Sequence, residues 1–319
     1  MDNPETELRK FPKWLRWSLL PIMGAALLGG TVYVLHRYDP RPAERELQSQ
    51  VQQLTTQVQQ LKQEQDMPAM VLTRYRNSIC YIYGVYHVGQ PNHRPGLRAR
   101  VSGTGFIVAD GLIATNRHVA EPWYEDPDSE ALLLRGDTPV LEKLVAYFPG
   151  SPTPVTITPI ILSSTNDLAV LRLESTPAGK ALQPLPLAEA GTPPGELVTV
   201  IGYPMGIAGM VAKSPSAVYD RLAYRHDDIG AANELAALAL IRPSATVGHL
   251  GDVVADKLIY DAPTAHGGSG GPVFNSRGEV IGINAAYMDG FSGGTLGISV
   301  NALRPLIQAA GKKQISAGK

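Results

Sequence analysis

Residues 266–272 read HGGSGGP and run directly into the apolar pair Val273 and Phe274, so that one serine, Ser269, stands between two glycine pairs at the mouth of a strand. Glycine lacks the Cβ that opposes positive φ, and Gly267, Gly268, Gly270 and Gly271 therefore permit a sharp turn with uncovered amides. Such a turn presents a nucleophilic hydroxyl. It also lets the N–H groups of Gly267 and Ser269, with Gly268 between them, face a carbonyl oxygen as its charge develops. By itself the run also fits a flexible turn, the commoner use of Gly-Ser-Gly.

A serine hydroxyl is a weak nucleophile until a base takes its proton and a carboxylate orients that base. The base candidate is His118 in ATNRHVA (114–120), which follows the apolar run GFIVADGLIAT. The acid candidate is Asp167 in NDLAVLRL (166–173), where Leu168, Val170 and Leu171 read as a buried strand. Singly, His118 also fits a capping or surface histidine, and Asp167 a turn residue beside Asn166. Together the order His118, Asp167, Ser269, each at a strand end, is one of the known orders of the serine–histidine–aspartate constellation.

The segments GTGFIV (103–108), TNRHVA (115–120), NDLAVLRL (166–173), IGYP (201–204), GGSGGPVFN (267–275) and VIGINAAY (280–287) resemble successive motifs of the HtrA-type (DegP/DegS-like) trypsin-fold serine proteases. The resemblance runs in register over about residues 70–310. It implies a mainly β fold of the chymotrypsin/trypsin-like double-barrel type, with His118 as general base, Asp167 as orienting acid, Ser269 as nucleophile and Gly267 as oxyanion donor. It further implies a primary pocket lined by Ile283, Asn284, Ala285 and Ala286, suited to small or medium aliphatic side chains. The activity implied is endopeptidase cleavage of periplasmic proteins through an acyl-enzyme.

Two departures qualify the transfer. The family usually carries Asn or Asp before the serine, whereas this chain has Gly268, so activity is expected to be conditional. An extra stretch, about 213–242, interrupts the pattern after IGYP. Asp228 is read as the cap of a helix through Ile241, ended by Arg242 and Pro243. Its apolar residues suit a packed decoration, or a lid over the site. The alternative reading is a latent or inactive trypsin-fold module acting as a membrane-tethered binding or assembly protein.

The chain has 319 residues, 44% hydrophobic and 18% charged, enough for one large core or two modest ones. A net charge of −1 without a basic run gives no electrostatic footprint for nucleic acid. The single cysteine, Cys80, excludes intrachain disulfides and reads as a small buried hydrophobe. His87, His93, His226, His249 and His266 lack metal-ligand spacing, so neither a metal nor another cofactor is expected.

Residues 17–35 form an uncharged run long enough to cross a hydrocarbon core of about 30 Å as a helix. Bulky residues 35–38 stand at its end, where a cleaved signal would need small ones, so an uncleaved anchor is expected. Trp14 and Trp17 at one end and Tyr33 and Tyr38 at the other suit interfacial belts. Arg9, Lys10, Lys13 and Arg16 before the run, against Arg37, Arg41 and Arg45 after it, favour a cytoplasmic segment 1–16. The resemblance places the remainder in a bacterial periplasm, tethered to the inner membrane. In 43–66, Leu47, Val51, Leu54, Val58 and Leu61 alternate spacings of four and three, which is a coiled-coil seam. Val at a with Leu at d suits two strands, the resemblance implies three, and a homo-oligomer, a trimer over a dimer, is expected.

From residue 67 the chain reads as the protease domain. Strands expected at 78–88, 99–109, 111–116, 131–135, 140–148, 155–163 and 168–173 make barrel one, over about 70–173. A proline-rich linker follows over 174–196, and barrel two over about 197–310, with Asn301 capping a closing helix that stops before Gly311. No stretch of PDZ size follows, so control by other means is expected.

Overall fold

The computed structural model describes residues 13–37, 41–90, 96–178, 182–287 and 294–317. The expected amino-terminal segment 1–12 with Arg9 and Lys10, and also Tyr38, His93 and linker residues 179–181, lie outside the described residues. So do the side chains of residues 13–20, Trp14 and Trp17 among them. The chain forms two units, Met1–Lys62 and Gln63–Lys319.

The first unit is helical. Helix α1 spans Lys13–Arg37 and helix α2 begins at Arg41 and ends at Tyr75, inside the second unit. Among the described residues no helix is long and apolar enough to cross a membrane. Leu47, Val51, Leu54, Val58 and Leu61 each keep more than half of their surface exposed.

The second unit holds two closed six-strand barrels. Strands β1 (Ile79–Gly89), β2 (Leu97–Ala109), β3 (Leu112–Thr115), β4 (Thr138–Tyr147), β5 (Val155–Leu162) and β6 (Ala169–Leu173) close in the order β1-β2-β3-β6-β5-β4. The second barrel takes β7 (Leu197–Gly202), β8 (Ser244–Val254), β9 (Lys257–Tyr260), β10 (Pro272–Phe274), β11 (Val280–Tyr287) and β12 (Thr295–Ser299), in the order β10-β11-β12-β9-β8-β7. Closure pairs every edge, so neither sheet leaves an open ladder. Strand β1 is buried almost throughout because β2 and β4 flank it and side chains fill both of its faces. Tyr75, at the end of α2, stacks on Phe274 of β10 with ring centroids 5.8 Å apart.

Short helices α3 (Arg117–Ala120) and α4 (Pro127–Leu133) follow β3. The strand expected at 131–135 is absent: Asp126 caps α4 by accepting the Ser129 amide, Pro127 occupies its first turn, and helix covers most of that stretch. Between β7 and β8 lie α5 (Gly206–Ala212), α6 (Ser216–Leu222) and α7 (Asp228–Ala237). The cap of α7 is Asp227, not Asp228, because its side chain takes the Gly230 amide. The helix also stops short of Ile241, with Ala239 at φ 55°. Ala231, Ala232, Leu235 and Ala236 are buried in the same core as Tyr81 and Tyr147, so this segment is part of the packed body rather than a flap over it. The closing helix α8 runs Val300–Ala317, straight through Gly311, whose missing side chain faces open space and marks no cap.

Candidate functional site

The β3–β6 ladder brings the base and acid candidates together. Thr115 pairs with Ala169, so the residue three places after one strand meets the residue two places before the other. His118 Nδ1 lies 2.7 Å from Asp167 Oδ2, and Asp167 Oδ1 accepts the His118 backbone N–H at 2.9 Å. Asn116, buried at the head of α3, donates its Nδ2 to the Asp167 carbonyl at 2.8 Å. One carboxylate is thus held to the ring and to the backbone of the same histidine, which fixes the imidazole's orientation.

The loop 266–271 is held plane by plane. In a trans peptide the C=O and the following N–H point in opposite directions, so securing one aims the other. The His266 carbonyl accepts from Met205 N–H at 2.6 Å, and the Gly268 carbonyl accepts from Gly271 N–H at 3.1 Å. The peptide between Gly267 and Gly268 is fixed at both ends, its oxygen by Thr104 Oγ1 at 2.7 Å and its amide by the Ala265 carbonyl at 2.9 Å. Ser269 and Gly270 are secured through Thr104 N–H on the Ser269 carbonyl and the Gly270 amide on the Asn284 carbonyl, each at 2.8 Å. The amides of Gly267 and Ser269 make no hydrogen bond to protein among the described residues. Gly267 sits at φ 88°, and a Cβ there would stand 2.5 Å from the Tyr203 carbonyl oxygen, so both conformation and space demand glycine.

Ser269 Oγ donates to the Ala285 carbonyl at 3.0 Å, and among the described residues it makes no hydrogen bond to His118. The four expected pocket residues divide. Ile283 and Asn284 are buried, Ala285 is half-buried and Ala286 is exposed. Asn284 faces inward, where Tyr260 Oη donates to its Oδ1 at 2.7 Å and its Nδ2 donates to Thr264 Oγ1 at 3.0 Å. Burial pushes the Tyr260 phenol far above its ordinary range, which keeps it a donor. This network backs Gly268: a Cβ there would meet Thr264 Oγ1 at 2.5 Å and the Ala265 carbonyl oxygen at 3.0 Å.

Three participants escaped the reading of the sequence. Thr104 lies inside GTGFIV, a visible motif, but its hydroxyl serves a loop over a hundred residues away. Tyr260 and Thr264 carry no local signal, because their partner Asn284 is reached only through the fold. Among the described residues no group of His, Cys, Asp and Glu could hold a metal ion. Cys80 is buried and donates weakly to the Gly105 carbonyl at 3.5 Å, and burial raises its thiol well above the usual range.

A trypsin-like peptidase domain model matches residues 103–283. A probable periplasmic serine endoprotease, DegP-like, of Chlamydia pneumoniae is 31% identical over 217 residues, covering 66% of this chain and 34% of that protein. A protein of the same description from Brucella suis is 30% identical over 208 residues, covering 65% of this chain and 31% of its own length. The chain thus spans about a third of the length of these curated relatives. Among solved structures, an HtrA-type protease bound to a decapeptide superposes with a TM-score of 0.51 at 17% identity, covering 79% of this chain and 68% of that one, a likeness of fold. The matched model takes in His118, Asp167 and Ser269, and the chain belongs to the trypsin-like peptidase family.

Proposed function

We propose that this protein is a serine endopeptidase of the HtrA type, in which His118 takes the Ser269 proton, Asp167 steadies the imidazolium and the hydroxyl attacks a peptide carbonyl. The amides of Gly267 and Ser269 receive the oxyanion, a contribution of about 3–4 kcal/mol per donor in comparable sites. Loss of the amine and attack of water on the acyl-enzyme complete the cycle. The observation that carries this reading is the double grip of Asp167 on His118, ring and amide, at 2.7 and 2.9 Å. Partly exposed Ala285 and Ala286 suit small or medium aliphatic side chains next to the scissile bond.

The test is labelling of the full-length protein, solubilised in detergent, by a fluorophosphonate probe. Labelling abolished in Ser269→Ala and His118→Ala is the expected result. Absence of labelling in a folded protein would overturn the reading. The bond from Ser269 to Ala285 favours a second reading, a resting state that substrate or a partner must reset, and a peptide that accelerates labelling would identify it.

The reading includes a tether. Residues 17–35 carry no charge, and Ile22, Leu27, Leu28 and Leu35 are each more than half exposed, a surface suited to lipid. The exposed seam from Leu47 to Leu61 suits self-association, as a trimer over a dimer. The substrates are periplasmic proteins and the peptidase lies on the periplasmic face of the inner membrane. Degradation of a carboxyl-terminal tag by protease added to spheroplasts, with sedimentation of the solubilised protein, tests both.

A further inference from the structure

Thr104 is wholly buried in β2 of the first barrel, and all of its polar groups are engaged. Its N–H donates to the Ser269 carbonyl at 2.8 Å and its carbonyl accepts from Thr115 Oγ1 at 2.7 Å. Its hydroxyl donates to the Gly267 carbonyl at 2.7 Å and accepts from Tyr203 N–H at 3.0 Å. Thr115 lies three residues before His118, so two threonines join the segment carrying the base to the loop carrying the nucleophile. The fit leaves no slack, since a Cβ on Gly270 would stand 2.0 Å from the Thr104 carbonyl oxygen.

The hydroxyl has a particular place in this. One oxygen bonds two segments of the second barrel that are adjacent in space: the turn at Tyr203 and the Gly267–Gly268 peptide plane. The Tyr203 turn leads into Met205, whose amide secures the His266 carbonyl and thereby the direction of the Gly267 N–H. A buried hydroxyl that both gives and receives can hold these two backbones in fixed relation, whereas a methyl group in its place would leave a carbonyl and an amide unpaired.

We propose that Thr104 is the positioning residue of the nucleophile loop: its hydroxyl locks the Gly267–Gly268 peptide to the Tyr203 turn and so holds the two oxyanion donors in their working direction. The inference rests on the serine-peptidase reading above. It requires that loss of the hydroxyl, at constant side-chain shape, slow the chemical step rather than weaken substrate binding. It also requires that serine, which keeps the oxygen, restore what valine removes.

The experiment compares Thr104→Val and Thr104→Ser in the full-length protein, with two readouts. The first is the fluorophosphonate acylation rate with kcat and KM on a peptide substrate. Valine should lower acylation and kcat by about 10–100-fold, the scale of a small misplacement of catalytic groups, with KM nearly unchanged, while serine stays within about threefold of wild type. The second is amide hydrogen exchange in peptides covering 203–206 and 266–271, which needs no activity. Valine should speed exchange in both and serine should not. Should Thr104→Val fail to fold, Thr104→Cys replaces it, and its weakly bonding thiol should rank with valine. Equal acylation in valine and wild type would overturn the proposal, as would equal slowing by serine and valine. If wild type does not acylate at all, the peptidase reading falls, and unchanged exchange in the valine variant then overturns the positioning claim as well.

Discussion

The Ser269 hydroxyl rests on the Ala285 carbonyl oxygen, 3.0 Å away, while His118 is bonded to Asp167. The proposed nucleophile must therefore exchange acceptors before it can attack. A neutral hydrogen bond of this kind contributes about 0.5–1.5 kcal/mol net, and the half-buried Ala285 can be reached by water once the hydroxyl is gone. Ser269→Ala should accordingly abolish labelling while lowering Tm by only about 2–4 °C, read by calorimetry. A fall beyond about 10 °C would show that the hydroxyl is chiefly a structural link.

Asp167→Asn keeps the size of the side chain but replaces an acceptor with an amide that must face either the ring or the backbone N–H of His118. With the tautomer no longer enforced, kcat should fall by about 10⁴-fold while KM moves little. Steady-state kinetics on an ester and a peptide substrate checks this. A loss under tenfold would remove Asp167 from its proposed role.

Gly268→Asn restores the residue type usual before the serine in HtrA-type proteases, yet here it should destabilise. Its Cβ would press on Thr264 Oγ1 and the Ala265 carbonyl, and overpacking of this sort costs about 1–3 kcal/mol. Urea unfolding measures the cost. A variant as stable as wild type and labelled faster would show that the glycine itself keeps the loop slow.

Tyr260→Phe leaves Asn284 Oδ1 buried without its donor, a loss of about 1–3 kcal/mol. Because the Gly270 amide is bonded to the carbonyl of that same Asn284, acylation should slow as well. Denaturant midpoints together with labelling rates decide it. Unchanged values in both would mean that the network behind Gly268 is idle.

Hydrogen bonds from Arg98 and His87 hold the Glu142 carboxyl down to about 2, against an ordinary 4.5. A lowered folded-state value means that its contribution to stability is complete above 4.5 and is lost as pH falls towards 2. Arg98→Ala should bring the Glu142 titration, followed by carboxyl NMR, back towards the ordinary value. It should also remove that portion of the acid dependence of unfolding.

What could be read from the chain and what could not divide on distance. His118, Asp167 and Ser269 stood out as candidates because each lies near a strand end within a short recognisable run, and the β3–β6 ladder brings the first two together. Short apolar runs between turn signals located the six strands of barrel one, whereas barrel two was read only as a span. The segment 131–135 misled because its leucines suit a strand, while the deciding signal was the Asp126–Pro127 cap just upstream. Gly311 misled because a glycine near a helix end is read as a stop, yet it lies in the middle of α8. Asn284 looked like a pocket residue by position, but its side chain turns inward to Tyr260 and Thr264. Hydroxyl partners such as Thr104 and Gly267 lie over a hundred residues apart, and no local pattern encodes such a bond.

The stretch between β7 and β8 is closed at its base. Gly202 pairs with Ser244 in the ladder, and Lys213 Nζ donates to the Arg242 carbonyl at 3.1 Å and to Ser244 Oγ at 2.7 Å. Its interior helices are anchored separately, Leu222 on one side of the exposed Tyr224 and Ala232 and Leu235 on the other. A backbone cut at Tyr224 would therefore sever the polypeptide without dividing the molecule. The two fragments would stay interlocked, like a ring opened at one link while its clasp remains shut.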